Sequence, residues 1–315
     1  MPGVNADRSE SLRPKVRAGG SASERMVSHA ANAEDVVLHR ALCDRGVGGR
    51  YVDVGASSPY LGSVTRHFYE AGWSGIDVEP LAEEAAELRR ARPRDVVVEA
   101  ALGSTAGEAT LYVIGDERGL SSTDPEVGVG YARAGRPVRE RVVTLRTLAD
   151  VLDEHCTGEI SFLKVDVEGA EPGVLSGNDW SRWRPRVVVV EETDPWSYQQ
   201  THSRWEPGLL AAGYLFASFD GINRFYARSE EPELVPLLAP ASVLDNFVSE
   251  NLNRVEGYVR HLEAELKARS SHVAELETFV GAQEEIIHAR DRRIAELEAR
   301  LARPRNLLPG SKRAR

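Results

Sequence analysis

The chain has 315 residues with 49 acidic against 39 basic side chains, and its formal charge of −10 argues against a general nucleic-acid binder. Hydrophobic residues make up 42% and charged residues 28%, as in an ordinary water-soluble protein, and no apolar run approaches the roughly 20 residues needed to span a bilayer. Cys43 and Cys156 lie far apart with no CxxC pairing, so neither a zinc site nor a disulfide framework is expected, and a reducing cytoplasm is the expected compartment.

Residues 1–25 contain no apolar core of the signal-peptide kind and are expected to form a disordered leader. From 26 to 248, short β-branched runs alternate with longer amphipathic stretches, the pattern of βαβ units on a parallel sheet. The runs RYVDVG, GIDVEP, DVVVEAALG, ATLYVI, ISFLKVDVEG and PRVVVVEE predict strands, and the nearly all-apolar VVVV and FLKV predict strands covered on both faces. Between them VTRHFYEAGW and LAEEAAELRRARP predict helices, the second ending before Pro93. AGYLFASFDGINRFYAR predicts two strands joined through Asp220-Gly221, a hairpin signal. The expected fold class is therefore α/β, a doubly wound and mostly parallel sheet with an antiparallel hairpin at one side.

From 251 to 302 the pattern changes. Val259, Leu266, Val273, Val280, Ile287, Ile294 and Leu301 recur every seven residues, with Val255, Leu262, Leu276 and Leu297 in the second seam position. This heptad pattern predicts a long coiled-coil helix, and β-branched residues facing leucines lean toward a parallel dimer. Arg269, Gln283 and Arg290 make the second seam the weaker one. The expected partner is a second copy of the chain or a pathway protein. Residues 303–315 are expected to be a basic flexible tail that begins near the helix-ending Pro304.

Ligands of an open parallel sheet bind beyond the carboxyl ends of its strands, so candidate site residues follow the apolar runs. The first run ends in Asp53-Val54-Gly55-Ala56-Ser57. Gly55 and Ala56 let a ligand approach the backbone closely, and Asp53 can accept a hydrogen bond from an ammonium or a water. Ser57 stands where GxGxxG has its second glycine, so the tight pyrophosphate turn is absent and an NAD-dependent oxidoreductase is disfavoured. Glu79 ends the next strand, where a carboxylate can take both hydroxyls of a ribose. Asp53, Gly55 and Glu79 together describe a nucleoside-like cofactor without a pyrophosphate.

YVDVGASSPYLGSVTRHFYEAGWSGIDVEP, ALGS, GLSSTDPE, FLKVDVEGAEPGVLSG, VVVVEETDP and FDGINRFYA resemble the FkbM-type methyltransferases, over a span from about residue 29 to about Leu234. The resemblance implies a Rossmann-like domain that uses S-adenosylmethionine to methylate hydroxyl groups of sugars or natural-product scaffolds. One departure is Ser57, where that family usually carries Asn or a similar polar residue. The candidate cofactor contacts are Asp53, Gly55, Ala56, Ser57, Glu79, Ala101 of ALGS, and Asp166.

On a strand-like alternation Lys164, Asp166 and Glu168 share one side, which places Asp166 beside the transferred methyl. Glu191 follows the next run. Methyl transfer to a hydroxyl needs in-line alignment and removal of the hydroxyl proton. Either a general base does this, with Asp166, Glu191 and His202 as candidates, or a divalent metal such as Mg²⁺ on Asp166, Glu191 and Asp194 lowers the hydroxyl's pKa. Glu171 reads as an acid at a helix start. Ser121 and Ser122 of the GLSSTDPE loop, with Asp220, Asn223 and Arg224, are candidate substrate contacts. Ser122 to Asp124 read equally as a turn or helix cap, and Asn32, Glu34 and Asp35 either meet the methionine end of the cofactor or begin a helix. A different class of function is a coiled-coil scaffold that carries an inactive methyltransferase-like domain.

Overall fold

The protein is described from a computed structural model over residues 25–43, 48–116, 118–193 and 200–302. The expected leader up to residue 24, the basic tail and Asp194 lie outside the described residues. The chain divides into two compact units, Met1–Glu250 and Asn251–Arg315.

In chain order the first unit contains β1 (Met26–Ser28), α1 (Glu34–Leu42), β2 (Arg50–Val54), α2 (Arg66–Glu70), β3 (Ser74–Val78), α3 (Ala82–Ala91), β4 (Val96–Val98) and β5 (Ala101–Leu102). It continues through β6 (Gly107–Ile114), α4 (Pro125–Arg133), β7 (Val138–Arg146), α5 (Leu148–His155), β8 (Phe162–Val165), α6 (Glu171–Ser176) and β9 (Val187–Glu191). α7 (Glu206–Ala211), β10 (Tyr214–Phe219), β11 (Asn223–Arg228) and β12 (Phe247–Ser249) complete it before the long helix α8 (Glu250–Leu301).

Seven strands form the main sheet in the order β10-β11-β9-β8-β2-β3-β4. The five strands from β9 to β4 are parallel, and the hairpin β10–β11 adds to β9 antiparallel, as the Asp220-Gly221 signal predicts. The chain starts at β2, moves outward to β3 and β4, then returns to β8 on the other side of β2. The strand order therefore reverses between β2 and β8, where the two crossovers diverge and leave a crevice at the strand ends.

The sequence misplaces two pieces. DVVVEAALG is not one strand but breaks at Glu99-Ala100 into β4 and β5, which belong to different sheets. ATLYVI forms part of β6 in a separate three-stranded sheet, order β5-β7-β6, and β7 is not expected from the apolar runs. Its VRERVVTLR places charges on an exposed ladder, which hides it from a search for buried strands.

Alternation along the central strands builds two cores, one on each face of the sheet. Val188 and Val190 of β9 join Val52, Leu163 and the helical Leu148 and Val151 on one face. Val187 and Val189 join Tyr51, Phe162 and the helical Leu38 and Phe68 on the other. This second face also carries charge. Asp77, Asp53 and Lys164 are paired across β3, β2 and β8, and all three are buried. Arg92, 2% exposed, donates to Thr65 Oγ1 (2.7 Å), Ser63 Oγ (2.6 Å) and the Pro59 carbonyl (3.2 Å) and lies 3.4 Å from Asp77. It thereby ties the loop after β2 to the underside of the sheet.

Helix α8 is 52 residues long and none of them is buried. No helix among the described residues is long and apolar enough to cross a membrane.

Arg92→Met keeps the apolar stem and removes the charge and its donors. It is expected to destabilise the first unit by about 3–5 kcal/mol, the usual loss when one partner of a buried pair is removed, read as a lower denaturant midpoint.

Candidate active site

A cavity of about 790 Å³ opens at the carboxyl ends of β2, β3, β8 and β9, at the reversal of strand order. That volume suits a cofactor with a small acceptor. The turn after β2 forms one wall. Gly55 has φ 82°, and a Cβ there would lie 1.9 Å from the Asp166 carbonyl, so only glycine fits between β2 and the end of β8. The Gly55 and Ala56 N–H groups both donate to the Val78 carbonyl, which closes the turn against β3. Ser57, also left-handed at φ 46°, donates its N–H to Glu79 Oε2 (3.0 Å). Glu79 Oε1 accepts from the Leu81 N–H (2.8 Å). Each Glu79 oxygen keeps a second lone pair for a ligand, and burial pushes the carboxyl up to about 7. Ala101 lines the same cavity.

Lys164 lies at the centre. Its Nζ is 3.3 Å from Asp53 Oδ1 and 3.2 Å from Asp166 Oδ2, and it donates to the Gly55 carbonyl (3.3 Å). Burial alone would lower its pKa, but Asp166 and Asp53 outweigh that and raise it, so the ammonium stays charged. Asp53 lines the cavity, yet its oxygens face Lys164 and the Thr65 hydroxyl (2.9 Å). It holds the lysine rather than presenting a free carboxylate to a ligand.

Asp166, Glu168 and Glu191 each offer one carboxylate oxygen within 4.8 Å of the others. The strand alternation expected for Lys164, Asp166 and Glu168 does not reach Glu168: β8 stops at Val165, and Glu168, at φ 54°, belongs to a left-handed turn. Glu168 is buried, and burial followed by the charges of Asp166 and Glu171 pushes its carboxyl up to about 8. Burial and then Asp166 and Glu168 also raise Glu191 well above the usual carboxylate range. Glu171 begins α6 as expected. Its Oε1 accepts from the Val167 and Gly169 N–H groups (both 3.1 Å), and burial pushes it up to about 7.

The remaining candidates separate. Glu34 and Asn223 line the cavity and bond each other, Asn223 Nδ2 donating to Glu34 Oε1 (2.8 Å). Asp35 turns away and accepts from Ser28 Oγ and the His29 N–H, while Asn32 donates to the Asp220 carbonyl. Asp220 does not line the cavity. Its carboxylate accepts from the Ile222 and Asn223 N–H groups and shapes the hairpin turn. Ser121 and Thr123 face the cavity, but Ser122 is buried behind them and accepts from the Asp124 N–H, as in a cap.

His202 and Arg224 are not brought to the cavity. Consecutive residues at a strand end point to opposite faces, and Glu192, following Glu191, carries these two on the far side. Glu192 pairs with Arg224 Nε and with His202 Nδ1 (2.5 Å), and Arg224 Nη1 reaches Glu206 Oε1 (3.0 Å). Sequence reasoning did not assign Lys164, Glu168 or Arg118 to the cavity, which all three line. A lysine inside the otherwise apolar FLKV was the available signal for the first of these.

Residues 53–216 match the methyltransferase FkbM domain, just over half of the chain. The match spans the end of β2 to β10 and contains the turn, Glu79 and the three clustered carboxylates, while Glu34 and Asn223 lie outside it. No curated protein matches the chain.

The raised carboxyls fix a pH dependence. Glu168 moves from an ordinary 4.5 to about 8 and Glu171 to about 7, so above 4.5 the folded chain holds protons that the unfolded chain has released. Stability from these groups is full below 4.5 and is lost as pH rises through the folded values. His67, pushed by burial from 6.5 to about 4, works the opposite way, but only below neutrality. The melting temperature without ligand is therefore expected to fall between pH 7 and 8.5, and to fall less in Glu168→Gln.

Proposed function

This chain belongs to the FkbM-type methyltransferase family, and we propose that it transfers the methyl group of S-adenosylmethionine to a hydroxyl of a sugar or natural-product scaffold. One cavity holds the Gly55–Ser57 turn, Glu79 and Asp166 together at the reversal of strand order, and this juxtaposition carries the reading. The same strand order supports describing the sheet as Rossmann-like.

The residues present fit the cofactor. Glu79 has lone pairs free for ribose hydroxyls, the bare Gly55 backbone permits close approach, and the carboxylates of the wall suit a group that carries an ammonium and a sulfonium. S-adenosylmethionine, when bound, supplies a methyl on positively charged sulfur. Lys164 fixes Asp166 at the end of β8, and Asp166 and Glu191 then stand as acceptors for the proton that the attacking hydroxyl must lose. Ser121, Thr123 and Asn223 line the cavity and offer hydrogen bonds to a polyhydroxylated acceptor. The two cysteines are free, in keeping with a cytoplasmic protein.

Helix α8 reads as a parallel coiled coil that joins two copies. Its apolar seam is exposed, with Val259 and Leu262 about half accessible. Glu263, Glu277, Glu284, Asp291 and Glu298 all follow the seam on one flank. Antiparallel pairing would set that flank against itself, whereas parallel pairing sets it against the flank that carries His272 and Arg293.

Calorimetric titration is expected to show micromolar binding of S-adenosylhomocysteine and none of NAD. Glu79→Ala should weaken the former by about 10–100-fold, the loss of a charged hydrogen bond. A folded protein that ignores S-adenosylhomocysteine overturns the reading. By light scattering, the full chain should be a dimer and a chain ending at Glu250 a monomer; an unchanged dimer would remove α8 as the cause of assembly.

A further inference from the structure

We propose that Asp166, Glu168 and Glu191 bind a hard divalent cation of the Mg²⁺, Mn²⁺ or Ca²⁺ class. The ion's role rests on the methyltransferase reading, while its binding does not. Three carboxylate oxygens converge within 4.8 Å, from the turn after β8 and the end of β9. Two separate observations show that Glu168 and Glu191 leave oxygens without a protein partner. Glu168 is only 8% exposed, and its carboxylate has no hydrogen bond or ion pair among the described residues, although it lines the cavity. Glu191 Oε2 is shielded from solvent and has no partner either. Buried carboxylates are normally paired or hydrogen-bonded, and three this close do not all ionise without a counter-charge.

Lys164 does not fill the role, because its contacts are Asp53, Asp166 Oδ2 and the Gly55 carbonyl. Those contacts fix Asp166 in place, and Glu171 fixes the turn that carries Glu168 through the Val167 and Gly169 N–H groups. The ligand set is thus anchored by its own supports, as a metal site requires. Its chemistry is carboxylate oxygen alone, with no histidine or cysteine in the group, which selects hard cations over zinc or copper. Asn223 stands opposite Glu191 in the β9–β11 register and lines the same cavity, and coordination there would lower the pKa of an acceptor hydroxyl.

The test is titration of the full chain with Mn²⁺, followed by electron paramagnetic resonance and by calorimetry. The expected result is one saturable site per chain, displaced by Mg²⁺ or Ca²⁺. Affinity should fall at least about tenfold in Glu168→Gln and in Glu191→Gln, and stay unchanged in the surface variant Glu83→Gln. Because the Glu168 carboxylate has no partner to lose, that variant should fold, and thermal melting checks it. No saturable site, or equal binding by wild type and both cavity variants, overturns the proposal. The latter would also be the outcome if the cluster receives a substrate ammonium and Mn²⁺ meets only the acidic surface. S-adenosylhomocysteine binding in the same samples separates the two readings, since its retention without Mn²⁺ binding defeats the cation alone, and Mn²⁺ binding without it defeats the cofactor.

Discussion

One buried ammonium organises the first unit. Lys164 lies in the centre of the sheet between Asp53 on β2 and Asp166 just past β8. Asp53 is held by Thr65, and Thr65 by Arg92, which also faces Asp77 on β3. The chain of contacts from Arg92 to Asp166 therefore crosses three strands on one face. Sliding β8 by one residue against β2 would turn Lys164 away from Asp53 and leave both charges unpaired in a dry interior, a loss far larger than that of a surface pair. The charges that shape the cavity thus also set the register of the strands that carry it, and the Gly55 turn packs against the Asp166 carbonyl because that register is held.

Glu191 and Glu192 show what distinguishes structural charge from available charge. They are adjacent, of the same residue type, and sent to opposite faces. Glu192 is fully buried and matched by Arg224 and His202, with Glu206 closing the group. Glu191 lies among other carboxylates, and burial and their charge raise its pKa. On one face the sequence supplies a cation for the acid, and on the other it withholds one. Perturbed acids without protein partners, in a cavity, are the usual mark of a functional site.

The parts of this arrangement legible in the sequence were those set by position along a strand. VVVV and FLKV announced strands covered on both faces, and the residues just beyond them, Asp166 and Glu191, fell in the cavity as that logic requires. DVGA and Glu79 were legible for the same reason. What escaped was set by single backbone angles and by parity. The left-handed turn at Glu168 returns a residue that a continued strand or a helix start would place elsewhere. One step of alternation removed His202 and Arg224 from the cavity, because their anchor is Glu192 and not Glu191. β7 escaped because a half-exposed ladder needs no apolar run. The grouping of three carboxylates depends on where the chain returns in space, and no local pattern encodes it.

The second unit obeys a different constraint. A helix of 52 residues extends roughly 78 Å at 1.5 Å per residue. Most helical stability in proteins comes from packing an apolar face, not from propensity, and α8 buries none of its residues. Its apolar residues keep the seven-residue spacing through six repeats, interrupted in the second seam by Arg269, Gln283 and Arg290. Polar residues at these positions would cost a helix packed on an apolar surface, whereas in a paired seam they would oppose their own copies in the other chain and so discriminate between registers and strand numbers. The acidic flank acts in the same direction, since it penalises antiparallel pairing more than parallel. If α8 pairs as proposed, stability is exchanged there for a defined partner orientation.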